Sequence, residues 1–306
     1  MNTPIIWCAP IALFAYARLD HLHRTVESLL LNTECAVTPL YVFCDGPGDP
    51  IAKVQTDKVR AYIDTLHGFA SVTRIYRDTN LGLAQSIISG VGEVLARHGS
   101  VIVMEDDLVV SPYFLAFMNQ GLQTYADEPS VASIHGYCYP VEEELPDTFF
   151  LRGADCWGWA TWSRAWRHFE ADGRKLLKEI KEKNLVDELD FGGAYSFSGM
   201  LQNQIKGKNN SWAIRWHVSC FLRNSLTLYP GKSLVNNIGN DGSGTHSSPT
   251  SVFDQTMSDR RVTLKRIPIK ESVAARGAFT EYFRAQHSFG RRLLRKLHAL
   301  ICGALK

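Results

Sequence analysis

Over its first ~110 residues the chain alternates short apolar runs with segments of helical hydrophobic period, a pattern that a parallel sheet with crossover helices satisfies. The runs are 11–17 (IALFAYA), 39–44 (PLYVFC), 72–76 and 100–104 (SVIVM). Between them Leu22, Val26, Leu29 and Leu30 fall at helical spacing, and residues 51–66 read as a helix. Ala84, Ile87, Ile88, Val91, Val94 and Leu95 mark another amphipathic helix. The run at 100–104 is continuously apolar, as expected of a strand covered on both faces. With 306 residues, 45% of them hydrophobic, the chain has enough apolar surface for a large core, which excludes a disordered protein.

Open parallel sheets bind ligands beyond the carboxyl ends of their strands. The segments expected there are all polar: Arg18-Leu19-Asp20, Asp45-Gly46-Pro47, 77–82 and Glu105-Asp106-Asp107. No G-x-G-x-x-G follows the first strand and no Walker A loop occurs, which counts against a dinucleotide dehydrogenase and a P-loop enzyme. After residue 110 the pattern changes. Residues 112–124 read as a helix; 131–135, 149–152, 226–228 and 233–238 read as short strands, and a tryptophan-dense stretch lies among them. No clean linker appears, so one domain over 1–281 is expected, with a first part at 1–125 and a second part at 126–281.

The last 25 residues, 282–306, hold six Lys/Arg and no acid, leaving 27 Lys/Arg against 31 Asp/Glu elsewhere. Phe289, Leu293, Leu297, Leu300 and Ile301 share a helical face there, so a basic amphipathic helix is expected, with an anionic membrane surface as its partner. The overall charge of +2 gives no reason to expect nucleic acid. The seven cysteines form no framework, and no apolar run is long enough to span a membrane. A cytoplasmic protein is expected, peripheral at most at the inner face of the membrane.

The sharpest chemical signal is VIVMEDD. Three adjacent carboxylates repel one another unless a cation or donors compensate, and hard oxygen ligands suit Mn²⁺ or Mg²⁺. A solvated turn is the plainer reading of the same residues. Asp45 suits a base imide or a ribose hydroxyl, or is an ordinary turn aspartate. Arg77 and Asn80 precede the helix that starts near Leu83, where a phosphate would be favoured; Arg18 follows the first strand in the same manner.

Together these pieces resemble a GT-A glycosyltransferase, similar to family-2 enzymes and to N-acetylglucosaminyltransferase I. The segments that carry the resemblance are IALFAYARLDHLHRTVESLL, VFCDG, RDTNLGLAQSI, VIVMEDDLVVSPYFLAFM and CWGWATWSRAW, within residues 10–170, with a weaker match to about 246. The resemblance implies a Rossmann-like, mostly parallel sheet and transfer from a nucleotide-diphosphate sugar. It implies Asp107 as metal ligand, Asp106 at the donor sugar, Glu105 near the ribose, and Arg18 and Asp45 at the base. His246, closing the glycine-rich loop 236–246, is expected either to complete the metal shell or to hold the diphosphate.

The general base stays open. In galactosyltransferase-like relatives an acid follows W-G-W-G, but Trp157-Gly158-Trp159 here runs into Ala160-Thr161-Trp162. In N-acetylglucosaminyltransferase I-like sequences a carboxylate precedes the tryptophan of a segment like KGKNNSWAIRW, where this chain has Asn210. Asp155 and Asp241 are the other candidates. One or two of the tryptophans are expected at the site and the rest in the core. The expected function is inverting transfer, UDP-sugar favoured, to a glycan or lipid-linked acceptor in bacterial surface polysaccharide synthesis. A sugar nucleotidyltransferase and a catalytically silent nucleotide-sugar-binding protein are the alternatives.

Overall fold

A computed structural model describes residues 8–242 and 252–287. His246 and residues 288–306, which hold the basic face expected of the tail, lie outside the described residues.

The expected alternation is realised at the amino-terminal half. Strand β1 (Ile11–Ala15), helix α1 (Leu19–Leu30), β2 (Pro39–Cys44), α2 (Pro50–Asp64), β3 (Ser71–Tyr76), α3 (Leu83–His98) and β4 (Ser100–Glu105) follow in turn. All three strand pairings here are parallel: β1 with β2, β1 with β4, and β2 with β3. Side chains alternate between the two faces as the strand period requires. Ile11, Leu13 and Ala15 pack with Leu22 and Val26 of α1 and Val59 and Ile63 of α2. Ala12 and Phe14 pack on the other face with Ile87, Val91 and Val94 of α3. Covering both faces explains why these strands are apolar at nearly every position. Local chemistry sets the helix ends. Asp49 caps α2 by accepting from Ala52 N at 2.7 Å, with Pro50 at the first helical position, and Gly99 (φ 77°) closes α3 in the left-handed conformation.

The second half adds β5 (Leu108–Val110), α4 (Phe114–Thr124), β6 (Val131–His135), β7 (Thr148–Arg152) and β8 (Trp159–Trp162). Helices α5 (Ser163–Trp166), α6 (Gly173–Glu182), α7 (Val186–Leu189), α8 (Phe197–Ile205) and α9 (Trp212–Leu222) follow. Strands β9 (Leu226–Pro230) and β10 (Val235–Asn237) and helix α10 (Val273–His287) complete the described chain. One eight-stranded sheet, ordered β3-β2-β1-β4-β8-β6-β9-β7, crosses both halves. Only β8 and β7 run against the other six, so the sheet is mostly parallel. β5 and β10 form a separate antiparallel pair.

Two expectations about organisation change. Residue 282 is not the start of an appendage: α10 runs through it, and Tyr282 (8% exposed) and Phe283 (2%) are buried in a third core cluster with Phe149, Leu176 and Phe197. The tryptophan stretch contains an unanticipated strand, β8, whose aromatic and β-branched side chains suit a sheet. Trp159, Trp162, Trp166, Trp212 and Trp216 are buried in the core, and Trp157 is half-buried. Among the described residues no helix is long and apolar enough to cross a membrane.

The two halves of the sheet meet where β4 pairs with β8. Next to that seam β6 and β8 come close at Gly136, after β6, and Gly158, before β8, where Gly136 N donates to Gly158 O at 2.7 Å. A Cβ on Gly136 would sit 2.7 Å from both Phe114 and Val235 and 2.9 Å from the Gly158 carbonyl. Gly136→Ala is therefore expected to destabilise by about 1–3 kcal/mol through overpacking. Gly92→Ala, in α3 with open space around it, is expected to stabilise by about 0.5–1 kcal/mol. Denaturant unfolding of both variants checks the pair.

Candidate active site

Strand β4 delivers the acidic cluster to the carboxyl edge of the sheet. Asp106 is 4% exposed, and Glu105 and Asp107 are partly exposed. Their turn is fastened from beneath: Thr25 Oγ1 of α1 donates to Asp106 O at 2.8 Å, and Val110 N donates to Ser28 Oγ at 3.0 Å. From above, Ile238 N donates to Asp107 O at 2.9 Å. The chain then passes so close that a Cβ on Gly239 would lie 2.1 Å from Asp107 Oδ2, which leaves room only for glycine.

Arg18 is the cation of the cluster. It leaves β1 at the start of α1, and its Nη2 donates to Asp106 Oδ1 and, at 2.8 Å, to Asp107 Oδ2. Burial alone would lower its pKa, but the two carboxylates overcome this and raise it. Glu105 has no such partner among the described residues. Burial, then repulsion from Asp107 and Asp106, holds its carboxyl well above the usual range, with Arg18 opposing. Burial also raises Asp106, against the pull of Arg18. The turn therefore holds more negative charge than one arginine neutralises.

The other expected donor-side residues line the same rim. Asp45 follows β2, Arg77 follows β3, and Glu105 ends β4, so at ~4.8 Å per strand they span roughly 10–15 Å. Asp45 carries a positional load: it accepts from Leu81 N at 2.9 Å, Gly82 N at 2.8 Å and Gly46 N at 3.0 Å, tying β2 to the start of α3. Asn80 Nδ2 donates to Gly46 O at 3.0 Å, and the Arg77 guanidinium lies 5.8 Å from the Phe43 ring centroid. Asp241 pairs with His21 of α1 at 3.1 Å, next to the acidic turn.

Beyond β4 the antiparallel direction of β8 matters. It brings the amino end of β8, and with it Asp155 and Trp157, to the rim where β4 and β6 end. There a cavity of about 220 Å³ is lined by His135, Tyr137, Tyr139, Asp155, Trp157 and His217, with α9 as one wall. Trp157 N donates to His135 Nε2 at 3.1 Å. Burial lowers His135 to about 3 and His217 to about 4, so both are neutral. His217 Nδ1 bonds to Ala154 O at 2.9 Å, while its Nε2 is buried without a partner. Asp155 accepts from Tyr229 OH at 2.9 Å. Burial raises its carboxyl to about 6, with the tyrosine bond opposing. Cys156 feels the charges of Glu105, Asp155 and Asp107, which places the acidic turn and the cavity side by side.

Asn210 sits elsewhere. It is exposed, with Arg215 Nη2 donating to its Oδ1 at 3.4 Å; the next residue, Ser211, caps α9 and lines the cavity. The sequence reading missed His135, His217, Tyr137 and Tyr139 as cavity residues. The only local signal was an aromatic–polar mixture after residue 135.

Among the described residues no three His, Cys, Asp or Glu side chains form a ready-made metal centre. The donor set nonetheless fits a hard divalent ion. Mg²⁺ and Mn²⁺ commonly take one or two protein carboxylates and fill the remaining positions with substrate phosphates and water. Asp107, packed against Gly239, is such a carboxylate.

The raised pKa of Asp155 has a consequence for stability. An unfolded aspartate titrates near ~3.9, so the folded chain loses stability as pH rises from about 4 to about 6 and stays lower above that. Asp155→Asn keeps an acceptor for Tyr229 and removes this loss. The variant is expected to gain about 1–3 kcal/mol relative to the wild type at pH 8 over its value at pH 4, measured by denaturant unfolding at both pH values.

No protein-family profile matches the chain, and no curated protein does. Solved structures show a distant likeness. Mannosyltransferase PcManGT from Pyrobaculum calidifontis, in complex with GDP-Man and Mn²⁺, is 12% identical at TM-score 0.33, over 44% of this chain and 36% of that one. GalNAc-T7 with UDP, GalNAc and Mn²⁺ is 10% identical at TM-score 0.46, over 74% and 43%. S. aureus TarS is 12% identical at TM-score 0.30, over 48% and 25%. The chain thus spans a quarter to under half the length of these proteins. At such identities and TM-scores the fold and the chemistry of this chain rest on its own residues.

Proposed function

We propose that this chain is a GT-A glycosyltransferase that moves a sugar from a nucleotide-diphosphate donor, UDP-sugar favoured, to a hydroxyl of a glycan or lipid-linked acceptor. The observation that carries the reading is the under-neutralised acidic turn at the end of β4, beside a cavity that offers a carboxylate and aromatic faces. The donor lies along the rim, its base and ribose toward Asp45 and Arg77 and its diphosphate toward Asp107. Both carboxylate bonds of Arg18 use Nη2, so Nη1 and Nε remain for a phosphate oxygen. Asp107 holds Mn²⁺ or Mg²⁺, with His246 as the proposed second ligand from the loop after Gly239. When bound, the ion neutralises the charge that develops on the leaving diphosphate.

The acceptor enters the cavity beside Asp155. A sugar C–H face stacks on the half-buried Trp157, and His217 Nε2 is the buried polar atom that a hydroxyl would satisfy. Asp155 takes the proton from the attacking hydroxyl, which bonds to the anomeric carbon as the diphosphate leaves from the opposite face, giving inversion. Its carboxyl is oriented by Tyr229 and titrates close to working pH, as a general base should. A role in bacterial surface polymer synthesis, at the inner membrane face through 282–306, belongs to the same proposal. Because Tyr282 and Phe283 are core residues, the membrane-binding part of that segment starts after α10.

Two measurements test this. Asp107→Ala is expected to lower Mn²⁺-dependent UDP binding at least tenfold by calorimetry while the fold persists; unchanged affinity overturns the metal assignment. Asp155→Asn is expected to reduce transfer about 10²–10⁴-fold, and wild-type transfer is expected to fall as pH drops through about 6. Asn210→Asp is expected to change little. A large gain from Asn210→Asp instead identifies an altered base at 210, and donor binding without turnover in every variant favours the silent binding protein.

A further inference from the structure

A second cavity, of about 210 Å³, lies at the opposite edge of the sheet, at the amino ends of β6 and β9 and the carboxyl end of β8. One strand length, roughly 15–20 Å, separates it from the acidic turn. Its lining includes Arg164, Arg167, His168 and Arg223, and no Asp or Glu.

These cations are not consumed by the fold in the same way. Arg164 is: its Nε, Nη1 and Nη2 donate to Ala126 O, Val131 O and Tyr125 O, each at 2.8 Å, and its guanidinium lies over Trp162, 4.1 Å from a ring centroid. Glu128 and Asp127 reach it electrostatically from outside the cavity. Three of its five N–H groups serve the fold, so it is a fixed positive charge. Arg167 has only its Nε engaged, with His168 Nε2 at 3.3 Å. Arg223 makes no ion pair or side-chain hydrogen bond among the described residues; it follows α9, where the helix dipole favours one cation but does not account for the two further guanidiniums of Arg164 and Arg167. Burial, then Arg223 and Arg167, lowers the pKa of His168. Trp216, also in the lining, has a buried indole N–H without a partner.

We propose that this cavity binds a phosphate-class oxyanion, held by the guanidiniums of Arg167 and Arg223 in the field of Arg164. An anion there relieves the mutual repulsion of the cations, and the fork geometry of arginine suits phosphate oxygens. The site is distinct from the donor rim, yet α9 is common to both cavities: Ala213, Ile214 and His217 face the acceptor side, while Trp216, Ser219 and Cys220 face the oxyanion side.

The test uses the full chain in EDTA and follows the His168 imidazole by NMR. Inorganic phosphate represents a free anion, and glycerophosphoglycerol, a soluble phosphodiester, represents a lipid headgroup. Either ligand is expected to raise the His168 titration midpoint by about half a pH unit or more, because an anion favours the imidazolium. A response to phosphate alone identifies a free anion, and a response to the phosphodiester identifies a headgroup. The shift is expected to vanish in Arg167→Ser/Arg223→Ser, two exposed positions whose replacement leaves the melting temperature unchanged without ligand. No response of His168 to either ligand, or the same response in the double variant, overturns the proposal.

Discussion

The ion pairing of Arg18 with Asp106 and Asp107 is the interaction on which the acidic turn at the end of β4 depends. Three consecutive acids at a buried strand end repel one another, and the fold brings one guanidinium, from the turn after the neighbouring strand, to hold two of them. That is possible because β1 and β4 are adjacent and parallel, so their carboxyl ends reach the same rim. Burial first, and then repulsion from Asp107 and Asp106, keeps the Glu105 carboxyl well above its usual range. The proposed divalent ion and diphosphate would supply the turn with positive charge and Arg18 with a further anionic partner.

The cavity beside the turn depends on a different constraint, the reversal of strand direction at β8. A parallel strand at that position would send Asp155 and Trp157 to the far edge of the sheet. Running antiparallel, β8 begins at the rim, and the residues just before it stand beside the acidic turn. The paired glycines at 136 and 158 allow β6 and β8 to approach there. The same reversal places the end of β8, and Arg164 and Arg167 after it, at the opposite edge, where the cationic cavity forms.

Much of the amino-terminal half was legible because its signals are local. Apolar runs, helical spacing and capping residues act over a few positions, and a sheet buried on both faces announces itself by unbroken hydrophobicity. The acidic turn was legible for a related reason, since three contiguous carboxylates at a strand end are unusual without compensation. Asp45 illustrates the limit. Its place on the rim could be read, but its engagement with Leu81 and Gly82 could not, because those partners lie 36 and 37 residues away. Helix α10 misled because its basic continuation resembles a separate amphipathic element, although Tyr282 and Phe283 belong to the core.

By itself the sequence determined the alternating architecture, the polar rim and the charge of the turn, each a property of neighbouring residues. Only the tertiary structure decided which acid meets Arg18, that Asp155 rather than Asn210 faces a cavity, and that His135 and His217 are buried neutral beside it. These outcomes follow from long-range packing. Burial sets the ionisation of Asp155, and burial is decided by strands and helices far apart in the chain, for which no short stretch of residues carries a signal.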